Sequence, residues 1–99
     1  MTIDSDVRVI HIRKINGFTD ISTYGGMTVA YSWRKGDTFI VCSTAICSDR
    51  DVFSRKKGNA LAMEGYALGQ VIRLPYSRAI QKSGITPTTH VRAVFESSI

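Results

Sequence analysis

Between Met27 and Trp33 the chain alternates without a fault. Met27, Val29, Tyr31 and Trp33 fall on one side, and Thr28, Ala30 and Ser32 on the other. A period of two is that of a β-strand with one face in a core. Arg34-Lys35-Gly36-Asp37 follows as a turn, with glycine free to take positive φ. Thr38 to Ser43 then returns as a second strand, so 27–43 reads as a β-hairpin. Its aromatic residues Tyr31, Trp33 and Phe39 lie near the turn and are expected to pair across the strands.

Upstream, Val7 to Ile15 is rich in β-branched residues and reads as another strand, ended by the turn pair Asn16-Gly17. The adjacent apolar residues Val9-Ile10 break its alternation and predict a bulge or burial on both sides. Tyr24-Gly25-Gly26 marks a loop.

After the hairpin the period changes. Asp49 to about Gly69 reads as a helix, capped by Ser48 or Asp49, with Asp51 near the positive end of the dipole. Phe53, Ala60, Leu61 and Leu68 give it an approximate apolar stripe. Gly58 and Gly65 inside it mean either tight packing on the sheet or a break near Gly58. Val71 to Leu74 reads as a short strand closed by Pro75. Ser77 to Lys82 reads as a short helix with Ser77 as N-cap and Gly84 past its end. Thr88 to Phe95 reads as the last strand, with Thr89, Val91, Ala93 and Phe95 on one face; a helix is the alternative. The expected fold is α+β: one domain over 1–99, with an antiparallel sheet of three to five strands around a central β-hairpin. One longer and one short helix are expected to pack on one face.

Composition narrows the function classes. Ninety-nine residues with 43% apolar content support one small core, and leave little chain for a deep loop-walled cleft. No apolar run approaches the ~18 residues of a membrane span, and the acidic start Met1-Thr2-Ile3-Asp4 is not a secretory signal. The two cysteines, Cys42 and Cys47, are therefore expected as free thiols, Cys42 buried and Cys47 more exposed. A Cys42–Cys47 disulfide and a zinc site with His11 and His90 are the weaker readings, because the four residues are dispersed. The net charge of +5 is uneven: residues 1–49 carry five charges of each sign, whereas 50–99 carry eight basic and three acidic. An electropositive face follows, built from Arg50, Arg55, Lys56 and Lys57, with Arg73 and Arg78 adding to it. Three consecutive helical residues cover about 200° of arc, so Arg55, Lys56 and Lys57 charge a broad region, not a line. The alternatives are a solvated helix face, an acidic protein partner or nucleic acid.

Catalytic patterns are missing from the sequence. Asp49 and Asp51 sit among arginines and suit a helix start better than acid–base work. Serines and the two histidines occur without a G-x-S-x-G elbow, and no glycine-rich phosphate loop or RNA-binding signature is present. Tyr31, Trp33 and Phe39 beside Arg34 and Lys35 offer base stacking as a minor option. No enzyme, cofactor or metal is expected.

One segment has a likeness outside the chain. Cys47, Asp51, Phe53, Arg55, Lys56, Gly58 and Ala60, with Arg73-Leu74 as a loose second motif, resemble a pattern in small accessory proteins of tailed bacteriophages. The resemblance covers residues 47–74. It implies a host-cytoplasmic protein made during infection that binds a bacterial machine and blocks it, such as a CRISPR effector or a restriction enzyme. The expected partner is thus a host protein or nucleoprotein complex. Arg50, Arg55, Lys56, Lys57 and Arg73 are the expected contacts, and Tyr31 and Trp33 the anchors. A small nucleic-acid-binding protein is the alternative, and a homodimer through a hairpin edge or the last strand is left open.

Overall fold

The computed structural model describes residues 7–16 and 20–97. Six strands and three helices run β1 (Arg8–Ile12), β2 (Ile15–Asn16), β3 (Asp20–Ile21), β4 (Met27–Ser32), β5 (Phe39–Ile46), α1 (Arg55–Ala67), β6 (Ile72–Pro75), α2 (Arg78–Lys82) and α3 (Pro87–Glu96). The main sheet is antiparallel throughout, in the order β1-β4-β5-β6, and β2-β3 form a separate ribbon. The α+β class and the central hairpin are as the sequence predicts. Gly17, of the turn expected at Asn16-Gly17, and the acidic start lie outside the described residues.

Both faces of β4 are buried, because helices cover the sheet on two sides. Met27, Val29 and Tyr31 join Ile10, Ile12, Ile40, Cys42, Leu74, Tyr76, Val91 and Phe95 in the main core. This is the α3 side, where the Tyr31 and Thr88 hydroxyls are hydrogen-bonded. On the other face α1 packs against β4 and β5, with Gly58 over Thr28 and Gly65 over Ser43. The expectation of helices on one face is corrected here. Its cause is the segment 87–96, which is a helix and not the last strand. Thr86 caps it, Pro87 occupies its first turn where a missing N–H costs nothing, and Val91 and Phe95 are buried four residues apart. Thr89 and Ala93, which the strand reading placed beside them, are exposed. Burying Val91 and Phe95 contributes about 1.5–3 kcal/mol each.

α1 also differs from its prediction. It starts at Arg55, capped by Ser54, and runs unbroken through Gly58. Residues 51–53 are held elsewhere: Gly25 donates to the Asp51 carbonyl and Phe53 to that of Thr23. The acidic residues Asp49 and Asp51 therefore precede the helix and do not cap it. Its buried side is small, Gly58, Ala62 and Gly65 at i, i+4 and i+7, while the expected stripe residues Leu61 and Leu68 face solvent.

In β1 the Val9-Ile10 pair produces no bulge; the register with β4 is continuous from Arg8 to Ile12. The hairpin aromatics do not pair with one another, since Tyr31 and Phe39 sit on opposite faces. Both cysteines are free. Cys42 is buried, and burial pushes its thiol pKa up to about 12. A thiol reagent at neutral pH is expected to label the native chain at Cys47 alone, and both cysteines after unfolding. Labelling of Cys42 without unfolding would contradict this packing.

Candidate functional site

The candidate residues fall at two ends of the sheet. At one, β4 begins and β5 finishes, and the N-terminus of α1 lies over Thr28. At the other is the turn 33–38, where α2 docks through Gln81 Nε2 donating to the Asp37 carbonyl at 2.9 Å.

Four of the seven expected contacts gather at the first end. Ser54 accepts a hydrogen bond from the Lys57 amide at 3.2 Å, which places Arg55, Lys56 and Lys57 in the first turn of α1, all exposed. Arg50 stands exposed in the preceding turn. The other three, Arg73, Trp33 and Tyr31, are elsewhere, as is Arg78. Arg73 lies on β6 with its guanidinium 4.8 Å from the Phe39 ring, and Arg78 reaches the Gly36 carbonyl at the turn end. Trp33 is half-buried there, donating to the Asp37 carbonyl at 2.9 Å with its ring edge-on to Tyr76. Tyr31 is 2% exposed, so it is a core residue and not an anchor. The uniform cationic face expected from the C-terminal half is therefore two separate zones.

The first end recruits residues that the sequence reading left out. Arg13 and Lys14, at the exit of β1, arrive from the electrically neutral half of the chain. The Arg13 guanidinium sits 4.5 Å over the Phe53 ring and donates to the Ser22 carbonyl at 2.8 Å; its buried Nε has no partner among the described residues. Lys14 and Asp49 form a 3.1 Å ion pair between exposed side chains, worth little by itself. His11 packs edge-on to Phe53, and its Nδ1 is hydrogen-bonded to Thr28 at 3.0 Å. The basic pair Arg13-Lys14 is visible in the sequence. Only the tertiary path brings it beside Arg55.

Burial, followed by the charges of Arg55 and Arg13, holds the His11 pKa below 6.5. The unfolded chain, with its histidine near 6.5, takes up the proton first as pH falls. This contribution to stability is therefore whole above pH ~6.5 and is lost as pH drops toward the lowered folded value. Thermal stability is expected to decline as pH falls below about 6.5, and less steeply in His11→Gln. An equal decline in both proteins would remove His11 as the cause.

Beside the cations lies a groove of about 160 Å³ between the end of β5 and α1. Ala45, Val52, Phe53 and Leu61 supply its apolar lining, with Ile46 at its rim, and Lys57 and Asp51 its charges. Ile46 is 72% exposed, Val52 60% and Leu61 49%. Large aliphatic groups open to solvent next to a cationic helix start are characteristic of a contact surface. The described residues contain no cluster of three or more metal-ligating side chains. No described helix is long and apolar enough to cross a membrane. Comparison with protein-family models, curated proteins and solved structures finds no match for this chain. The class defined by the fold and surface is thus a small α+β protein with a cationic, partly apolar end, and its function is read from that chemistry.

Proposed function

We propose that this protein is a non-enzymatic binding module that docks an acidic partner protein through the β5–α1 end. The observation that carries the reading is the first turn of α1. It holds three consecutive cations and no acidic residue. A helix N-terminus carries partial positive charge, so each cation there opposes the macrodipole by about 0.3–1 kcal/mol. A placement that costs the fold stability supports a role outside the fold. Arg13, Lys14 and Arg50 enlarge the same field.

The neighbours favour protein over nucleic acid. Ile46, Val52 and Leu61 are aliphatic and make a good hydrophobic contact centre but a poor base-stacking platform. Trp33 belongs to the opposite end, and Tyr31 to the core. A non-enzymatic role is supported by the candidate reacting groups: Cys42 is buried with a raised pKa, and one His11 nitrogen is already engaged by Thr28. The narrower version is a phage-encoded inhibitor acting on a bacterial machine in the host cytoplasm. It rests on the resemblance of residues 47–74.

The test is capture of acidic proteins from a bacterial lysate by the full chain and by an Arg55→Glu, Lys56→Glu, Lys57→Glu variant. The wild type is expected to retain a partner that the variant does not. Equal capture by both would dismiss the surface. Oligonucleotide binding at low salt that weakens steeply as salt rises would favour the nucleic-acid reading instead.

A further inference from the structure

We propose that the partner contributes an extended acidic segment that adds to the sheet as a strand, along the outer edge of β5 at Thr44 and Ile46. This inference rests on the docking role above and specifies its geometry.

The register leaves that edge unpaired. Bonded and non-bonded pairs alternate along an antiparallel ladder. Cys47 donates to the Gly26 carbonyl at 2.9 Å, so residue 47 faces β4. Ile46 and Thr44 then turn their N–H and C=O groups to the opposite side. On that side Cys42 pairs with Ile72, the first residue of β6. The ladder stops there while β5 continues four residues further, to Ile46. Continuing the register would place Gln70 opposite Thr44, but the Gln70 amide is bonded to the Gly65 carbonyl at the end of α1. Thr44 and Ile46 therefore present two donors and two acceptors with no strand beside them among the described residues.

Each remaining edge of this sheet has two outward positions, one of them blocked: Val9 and His11 on β1, Arg73 and Pro75 on β6. On β1 the outward His11 carbonyl is taken by Arg92 at 3.3 Å. On β6 the blocked position is Pro75, which has no N–H and whose carbonyl is 2.8 Å from His90 Nε2. Protected edges are the rule in monomeric sheets, and an unprotected one is a template for strand addition.

The flanks identify the occupant. Ile46 and Ile72 lie exposed on one face of the sheet beside the open edge. On the other face the groove brings Lys57 and Leu61 against the end of β5, and Arg55 and Lys56 precede Lys57 in the first turn of α1. The groove itself carries one charge of each sign, Lys57 and Asp51, but at this end of the sheet Arg13, Lys14, Arg50, Arg55, Lys56 and Lys57 stand against Asp49 and Asp51. Successive side chains of an added strand point to opposite faces. A segment alternating apolar and acidic residues would set aliphatic groups on Ile46 and Ile72 and carboxylates toward α1.

The test uses a capped octapeptide of alternating valine and glutamate, and the same peptide N-methylated at every residue. N-methylation keeps the charges and removes the main-chain donors. Binding to the full chain is measured by calorimetry, and amide hydrogen exchange by NMR. The expected result is at least about tenfold slower exchange at Thr44 and Ile46 with the first peptide, and at least about tenfold weaker binding of the second. Equal affinities without protection of those amides would overturn strand addition and leave cationic docking standing. Protection that rises with protein concentration in the absence of peptide would make the occupant a second copy and overturn it too. Failure of both peptides to bind would overturn the inference, and the lysate capture above would still judge the docking role separately.

Discussion

Gly58→Val is expected to destabilise the protein by about 3 kcal/mol, although valine has the better intrinsic helix propensity. A Cβ at this position meets Thr28 Oγ1 well inside van der Waals contact and lies 3.0 Å from the Thr28 Cβ. Thr28 is fully buried in β4 and bonded to His11, so it has no open space into which to move. Inserting bulk into a packed interface costs about 1–3 kcal/mol or more, against a propensity gain of roughly 0.4 kcal/mol. For a chain of this size the melting temperature should fall by about 12–20 °C. Combined with Thr28→Ala, the same change should cost at least about 1 kcal/mol less than the two single effects added together. Thermal or denaturant unfolding of the four proteins checks both statements. A neutral Gly58→Val would mean that α1 does not sit against β4.

Arg55→Glu, Lys56→Glu, Lys57→Glu is expected to raise stability and abolish docking together. The carboxylates would align with the helix dipole, and Glu at position 57 would complete a capping box with Ser54. At about 0.3–1 kcal/mol for each substitution, the melting temperature should rise by several degrees. Affinity for an acidic partner should fall about 100-fold, since charge pairs at contact are worth on the order of 1.5 kcal/mol or more each. The opposite signs of the two effects separate function from folding. A destabilised variant would show instead that these cations are bound to carboxylates within the molecule.

The legible parts of this fold are those in which local chemistry and tertiary structure agree. The hairpin shows in the alternation of 27–33 and its glycine turn. α2 shows in the Ser77 cap and in Gly84 beyond its end. The segment 87–96 misleads because Thr89, Val91, Ala93 and Phe95 satisfy a period of two, while Val91 and Phe95 equally satisfy a helical spacing. Thr86-Pro87 is the local cap signal that decides for the helix. The start of α1 misleads for a tertiary reason: Asp49 and Asp51 look like caps, but residues 51–53 are drawn into contact with Thr23–Gly25. Its buried side was hidden because a helix crossing close over a sheet selects glycine and alanine, which no hydrophobic stripe reveals.

The surface was half legible. Arg50 and Arg55–Lys57 are adjacent in sequence and remain together in space. Charge alone groups Arg73 with them, and the topology of β6 sets it apart. Tyr31 has the residue type of an anchor, but on a strand covered on both faces an aromatic residue is core. Arg13, Lys14 and His11 join the site through the pairing of β1 with β4, a contact between distant segments that no local pattern encodes.

The most direct test is a comparison of two charge-matched variants. One carries Arg55→Glu, Lys56→Glu and Lys57→Glu at the α1 end. The other carries Arg34→Glu, Lys35→Glu and Lys82→Glu near the turn, about 20 Å along the sheet. Their net charges are equal, so bulk electrostatics affects both alike. Titration calorimetry with the alternating valine–glutamate peptide should show affinity at least about tenfold lower for the first variant than for the second. Equal losses would mean that overall charge, and not a site at the α1 end, attracts the ligand.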